Sequence, residues 1–171
     1  MKCTKLSVII LAIVISFVSC GYSAYKDYYC DISDYTKIWN LSGFRHGYQG
    51  VSTFFPQEVE KLTVDDYFFR YDQQLPLGEG IQLLLKICYE KESFLAELER
   101  ITSLATECTN QFDNQELVYS VRFGDKSFEY ACIDEKDQSI CYIYLQNIPK
   151  SEVEFEHIYL PRNYTEYGNI Q

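Results

Sequence analysis

The sequence predicts an α+β fold built mainly on antiparallel sheet. Runs of strand type recur at 64–71, 81–89, 117–123, 128–133 and 140–145, several of them alternating apolar and polar residues with period two. Between them, 90–105 instead repeats its apolar residues at three and four, the period of a helix. The chain also holds 16 tyrosines and 11 phenylalanines, residues that favour pleated, half-buried faces. The predicted order is two strands, one long amphipathic helix packed on one face of the sheet, then a meander of three or four strands.

Each element has its own local reason. From 20 to 30 the chain is rich in tyrosine and short polar residues, which suits a tether. Asp31, Ser33 and Asp34 offer capping oxygens ahead of Tyr35, Ile38 and Trp39 at helical spacing. The glycine-rich stretch 43–50, with Arg45 and His46, reads as a loop. Pro56 after Phe54 and Phe55, with Glu58 following, marks a helical turn or two through Leu62.

The clearest folded unit begins at Thr63. Breakers at Leu75-Pro76-Leu77-Gly78 separate two strands, and in the second Ile81, Leu83, Leu85, Ile87 and Tyr89 share one face. The helix stripe is Phe94, Leu95, Leu98, Ile101, Leu104 and Ala105, with Glu97 and Arg100 outside it. Gly124-Asp125-Lys126 and Lys136-Asp137 then turn the chain between neighbouring antiparallel strands. A last alternating run, Val153 to Tyr159, reads as an exposed edge strand, and the chain past Pro161 as a frayed tail. These boundaries make 31–160 a single domain, with 161–171 outside it.

The first twenty residues specify an address. Lys2 and Lys5 precede an apolar run from Leu6 to Val18, shorter than the roughly 20 residues that a membrane span needs. A basic start, a short apolar stretch and small residues after it make a secretory signal over 1–19. Ser19-Cys20 at its end resembles the lipobox of bacterial lipoproteins, with Phe17 where that family usually carries leucine. The resemblance implies a diacylglyceryl group on Cys20, cleavage before it, and a membrane partner met through the lipid on the extracytoplasmic face. Cleavage after Gly21, releasing a secreted protein, is the other reading.

Composition narrows the function. With 25 acidic against 15 basic residues the chain carries −10, and losing Lys2 and Lys5 with the signal deepens that deficit. Such a surface repels phosphate backbones, which excludes nucleic acid as a partner bound by charge. Cys132 and Cys141 face each other if their strands form a hairpin, as a disulfide or as two small apolar core residues. No spacing of Cys and His calls for a metal, and no motif calls for a cofactor.

Asp65-Asp66, on a strand, would point to opposite faces and make no ready carboxylate pair. His46 and His157, the two histidines, lack any local signature of a nucleophile–base pair, and Cys88 reads as packed rather than reactive. The expectation is therefore a tethered binding or structural module without catalysis, with a protein or cell-wall partner. A sheet face bearing Tyr67, Tyr71, Tyr130, Tyr142 and Tyr144 would present aromatics to it unless those rings are core. The alternative is a hydrolase whose site is assembled only in space.

Overall fold

The computed structural model describes residues 25–29, 31–38, 54–56, 58–74, 78–124 and 126–170. The expectations placed on Cys20, Trp39, Arg45, His46, the breakers at 75–77 and Asp125 lie outside these residues. Among the described residues seven antiparallel strands form one sheet. They are β1 (Tyr25–Tyr29), β2 (Thr63–Gln74), β3 (Gly78–Cys88), β4 (Thr106–Glu107), β5 (Leu117–Gly124), β6 (Ser127–Asp134) and β7 (Ser139–Gln146). A 3-10 turn, Ile32–Asp34, leads into the short helix α1 (Tyr35–Ile38), and the long helix α2 (Lys91–Leu104) lies between β3 and β4.

The predicted class therefore holds at the coarse level: mixed α and β, mostly sheet, with the long helix on one face. The strand order is β1-β2-β3-β7-β6-β5-β4. After α2 the chain crosses to the far edge and works back, so that β7 docks beside β3 with Leu83 opposite Tyr144 and Leu85 opposite Tyr142. The β5–β6 hairpin closes with Gly124 paired to Ser127, and Lys126 between them lies at φ 64°. The β6–β7 turn is set by Asp134, whose Oδ1 accepts from the Lys136 and Asp137 amides, each at 3.0 Å.

Because side chains alternate across a sheet, two separate cores form. On the first face Tyr67, Phe69, Ile81, Leu83, Leu85, Tyr142 and Tyr144 pack under Phe94 and Ile101 of α2 and under Tyr35, Phe54 and Phe55. On the second, Leu84, Val118, Phe128, Tyr130, Ile143 and Leu145 pack under Ile148, Val153, Phe155, Leu160 and Tyr164. The chain after β7 thus closes the face that the helix leaves open.

That closure corrects the sequence reading at the C-terminus. Val153 to Tyr159 forms no strand: the 3-10 turns Lys150–Glu152 and His157–Tyr159 flank an extended stretch. An extended segment laid over a sheet buries alternate residues just as a strand does, which explains the misleading pattern. Past Pro161 the chain is not frayed. Tyr164 is buried and donates from its hydroxyl to the Ile148 carbonyl at 2.7 Å, and Tyr164 and Ile170 form a bridge. Gly168, at φ 64°, comes so close to Ile148 that a Cβ would meet its carbonyl oxygen at 2.8 Å, so only glycine fits.

Three further departures are smaller. Residues 25–29, expected in a tether, pair with β2 as an edge strand. In place of helix before β2 there is a turn closed by the Leu62 amide on the Val59 carbonyl at 3.0 Å. In α2 only Phe94 and Ile101 are buried, while Leu95 is 54% and Leu104 45% exposed. The stripe is narrower than the periodicity suggests.

Candidate functional site

Two partly buried polar clusters flank the sheet, one on each face. On the helix face Glu97 and Arg100, which sequence spacing assigns to the solvent side, turn inward. Arg100 donates to both oxygens of Glu97 at 2.8 and 2.7 Å and to the Phe54 carbonyl at 2.5 Å. The Tyr142 hydroxyl donates to Glu97 Oε1 at 2.5 Å and shares a 2.7 Å hydrogen bond with the Tyr89 hydroxyl. Fully buried Glu129 on β6 accepts from the Phe54 amide at 3.3 Å. The Phe54 backbone is thereby stitched to the helix through its carbonyl and to the sheet through its N–H. Burial is the main cause that raises the pKa of Tyr142 and Tyr89, so both hydroxyls stay protonated.

On the second face Arg70 sits directly across from Gln82, and both are buried. The Arg70 guanidinium lies 2.5 Å from Asp72 Oδ2 and 2.5 Å from Glu154 Oε1, and it reaches Glu152 Oε2 at 3.3 Å. Gln82 donates to the Glu152 carbonyl at 2.7 Å and accepts from the Glu154 amide at 2.9 Å. One glutamine amide therefore holds the extended segment in place as a neighbouring strand would, which is why no further strand is needed there. Opposite Asp72 stands Gly80, where a Cβ would meet Ile148 Cδ1 at 3.0 Å.

These polar groups are spent on joining one element to another, so both clusters act as braces. Arg70→Met tests this directly. It removes the cation beside an Asp72 side chain only 3% exposed, and breaking such a buried pair costs about 3–5 kcal/mol. Urea unfolding should shift by that amount, and the Glu154 amide should exchange faster. Adding Asp72→Asn should restore most of the loss, because the stranded charge is then gone; an unchanged Arg70→Met midpoint would refute the brace.

The residues singled out from sequence divide clearly. Tyr67, Tyr71, Tyr142 and Tyr144 are buried on the first face and Tyr130 on the second, so the expected single aromatic face does not form and all five rings are core. Cys132 stands directly opposite Cys141 in the β6–β7 register, and both are buried thiols. Burial pushes their pKa values up, and Cys108 is pushed to about 11, so none of these three supplies a ready thiolate nucleophile. Cys88, at the end of β3, is half-buried, and His157 is exposed on its 3-10 turn.

Asp65 and Asp66 behave differently from a regular strand pair. A bulge between Val64 and Asp66 shifts the register, so Asp66 pairs with Lys86 while Asp65 meets the Lys86 ammonium at 2.6 Å. Both carboxylates gather on the lysine's side of the sheet, a placement that strict alternation hides. Among the described residues no group of His, Cys, Asp and Glu is arranged to hold a metal, and no helix is long and apolar enough to cross a membrane. Among the described residues a cleft of about 510 Å³ opens where the chain entering β5 meets the β6–β7 turn, lined by Glu116, Leu117, Ile133, Asp134, Glu135 and Lys136, and another of about 630 Å³ opens at the start of β2, lined by Asp31, Ile32, Val64, Asp65, Asp66 and Tyr67.

Compared with protein-family models, with curated proteins and with solved structures, the chain matches none.

Proposed function

We propose that this chain is an extracytoplasmic lipoprotein, anchored by a lipidated Cys20, whose domain binds or supports another molecule without performing chemistry on it. The observation that carries the reading is the N-terminal order: Lys2 and Lys5, the apolar run 6–18, then Ser19-Cys20. Each buried methylene of an acyl chain contributes about 0.8 kcal/mol, and two or more chains hold a protein stably on a bilayer. Among the described residues the architecture directs the binding half of the reading to clefts, because both sheet faces are covered by the chain itself. Among the described residues two polar clefts stay open, one beside the β6–β7 turn with Glu116, Asp134 and Glu135 in its lining and one at the start of β2 with Asp31, Asp65 and Asp66 in its lining. On a chain of net charge −10 this suits a cationic protein or cell-wall component.

Metabolic labelling with a palmitate analogue tests the anchor. The wild-type chain should carry label and sediment with membranes, and Cys20→Ser should lose both. An unlabelled wild-type protein, or a mature N-terminus at Tyr22, would overturn the reading.

A further inference from the structure

We infer that Cys132 and Cys141 form a modification site, closing into a cross-strand disulfide as the β6–β7 hairpin folds, and that the bond is then shielded from solution reductants. The two residues are register partners in the hairpin, and both side chains belong to the same buried core on the second face. Directly opposed residues of an antiparallel pair hold their Cβ atoms about 4.5–5.5 Å apart. A disulfide needs about 3.5–4.5 Å, so the two positions have only to close by roughly an ångström.

The surroundings decide when the bond forms. Each cysteine is 3% exposed, covered by the C-terminal segment through Val153, Phe155 and Leu160. Burial also holds both groups as thiols, not thiolates, so in the folded protein they neither attack an external disulfide nor meet one. Oxidation therefore belongs to the open hairpin, before the C-terminal segment lies down. One thiolate attacks a disulfide-bearing oxidant, displacing one thiol from it; the second attacks the mixed disulfide and displaces the other. The pair gives up two protons and two electrons, and the oxidant leaves as two thiols. Closing a loop of this size raises the folding constant by about a hundredfold on the chain-entropy account.

The export reading supplies the oxidising compartment, but the geometry does not depend on it, and the test separates the two. The full chain, reduced in denaturant, is refolded in a buffer of oxidised and reduced glutathione, alkylated under denaturing conditions without reductant, and digested for mass spectrometry. The expected product is a Cys132–Cys141 linked peptide pair two hydrogens lighter than the thiols, with Cys88 and Cys108 alkylated. In the folded product the link should resist a phosphine reductant that cleaves it at once in denaturant. Alkylated Cys132 and Cys141 after refolding, or equal reduction with and without denaturant, would overturn the inference. If the link forms on refolding while protein taken from cells carries both as thiols, the extracytoplasmic address fails and the disulfide stands.

Discussion

Ile101→Asp is expected to leave the chain without cooperative thermal melting, whereas Leu95→Asp is expected to melt within a few degrees of the wild type. Both residues belong to the apolar stripe of α2, yet Ile101 is fully buried and Leu95 is 54% exposed. Burying an isoleucine side chain is worth about 1.5–3 kcal/mol, which the aspartate forfeits. The carboxylate also faces a desolvation cost of several kcal/mol where Phe94, Leu98 and the aromatic face of the sheet offer it no partner. A domain with about 5–15 kcal/mol of total stability does not survive that. The helix has little of its own to fall back on: it is 14 residues long and its N-cap, Glu90, makes no side-chain capping bond. Circular dichroism melts of the two variants decide the matter, and equal melting temperatures would show that the helix packs in another register.

The difference between those two leucine-family positions marks where the sequence stops being informative. Periodicity locates α2 because any helix on a sheet must hide one side, but it does not measure how wide that side is. Here Glu97 and Arg100 take part of the buried arc, since Tyr142 and the Phe54 carbonyl give them partners beneath the helix. A charged pair can replace apolar contact only when such partners exist, and they come from residues 45 and 46 positions away in sequence. The β5–β6 and β6–β7 hairpins are legible for the opposite reason: their contacts are local, and Asp134 and the pairing of Gly124 with Ser127 fix them within a few residues.

The C-terminal segment failed the reading because its alternation is real while its hydrogen bonding is not that of a strand. Val153 and Phe155 point into the core while Glu154 is more exposed and reaches back to Arg70, and the Glu154 amide is satisfied by Gln82, a side chain 72 positions earlier. Nothing near 153 announces that. Candidate sites follow the same rule: the opposition of Cys132 and Cys141 was readable from one hairpin, whereas the shared side of Asp65 and Asp66 depends on a bulge that composition does not encode.

Raising the pH past about 10 is expected to unfold the chain completely within one to two units, and the cause is its buried tyrosines. Tyr35, Tyr130, Tyr142 and Tyr164 are 3% exposed or less, and burial is the leading cause that raises the pKa of each above its ordinary value near 10. Half-exposed Tyr159 is pushed to about 12 by the same effect. A group whose folded pKa is raised keeps its proton more tightly when folded, so its contribution is fully present below the unfolded pKa and is lost as pH climbs from there toward the folded value. Each such group contributes about 1.4 kcal/mol per pH unit, so the four together remove about 5–6 kcal/mol per unit, comparable with the whole stability of a domain.

Phenolate absorbance near 295 nm should therefore rise in one steep step together with loss of the near-ultraviolet dichroism, after a shallow early part from exposed rings such as Tyr167. A smooth titration with the fold intact would show that the rings are open to solvent. The thiols add a separate signature. Cys132 and Cys141 are also raised, from an ordinary value near 9, so the reduced protein should begin to lose stability about a unit before the tyrosines act. Joined as a disulfide they have no proton to release, and the early decline should shrink to the part that Cys108 contributes, ahead of the tyrosine step.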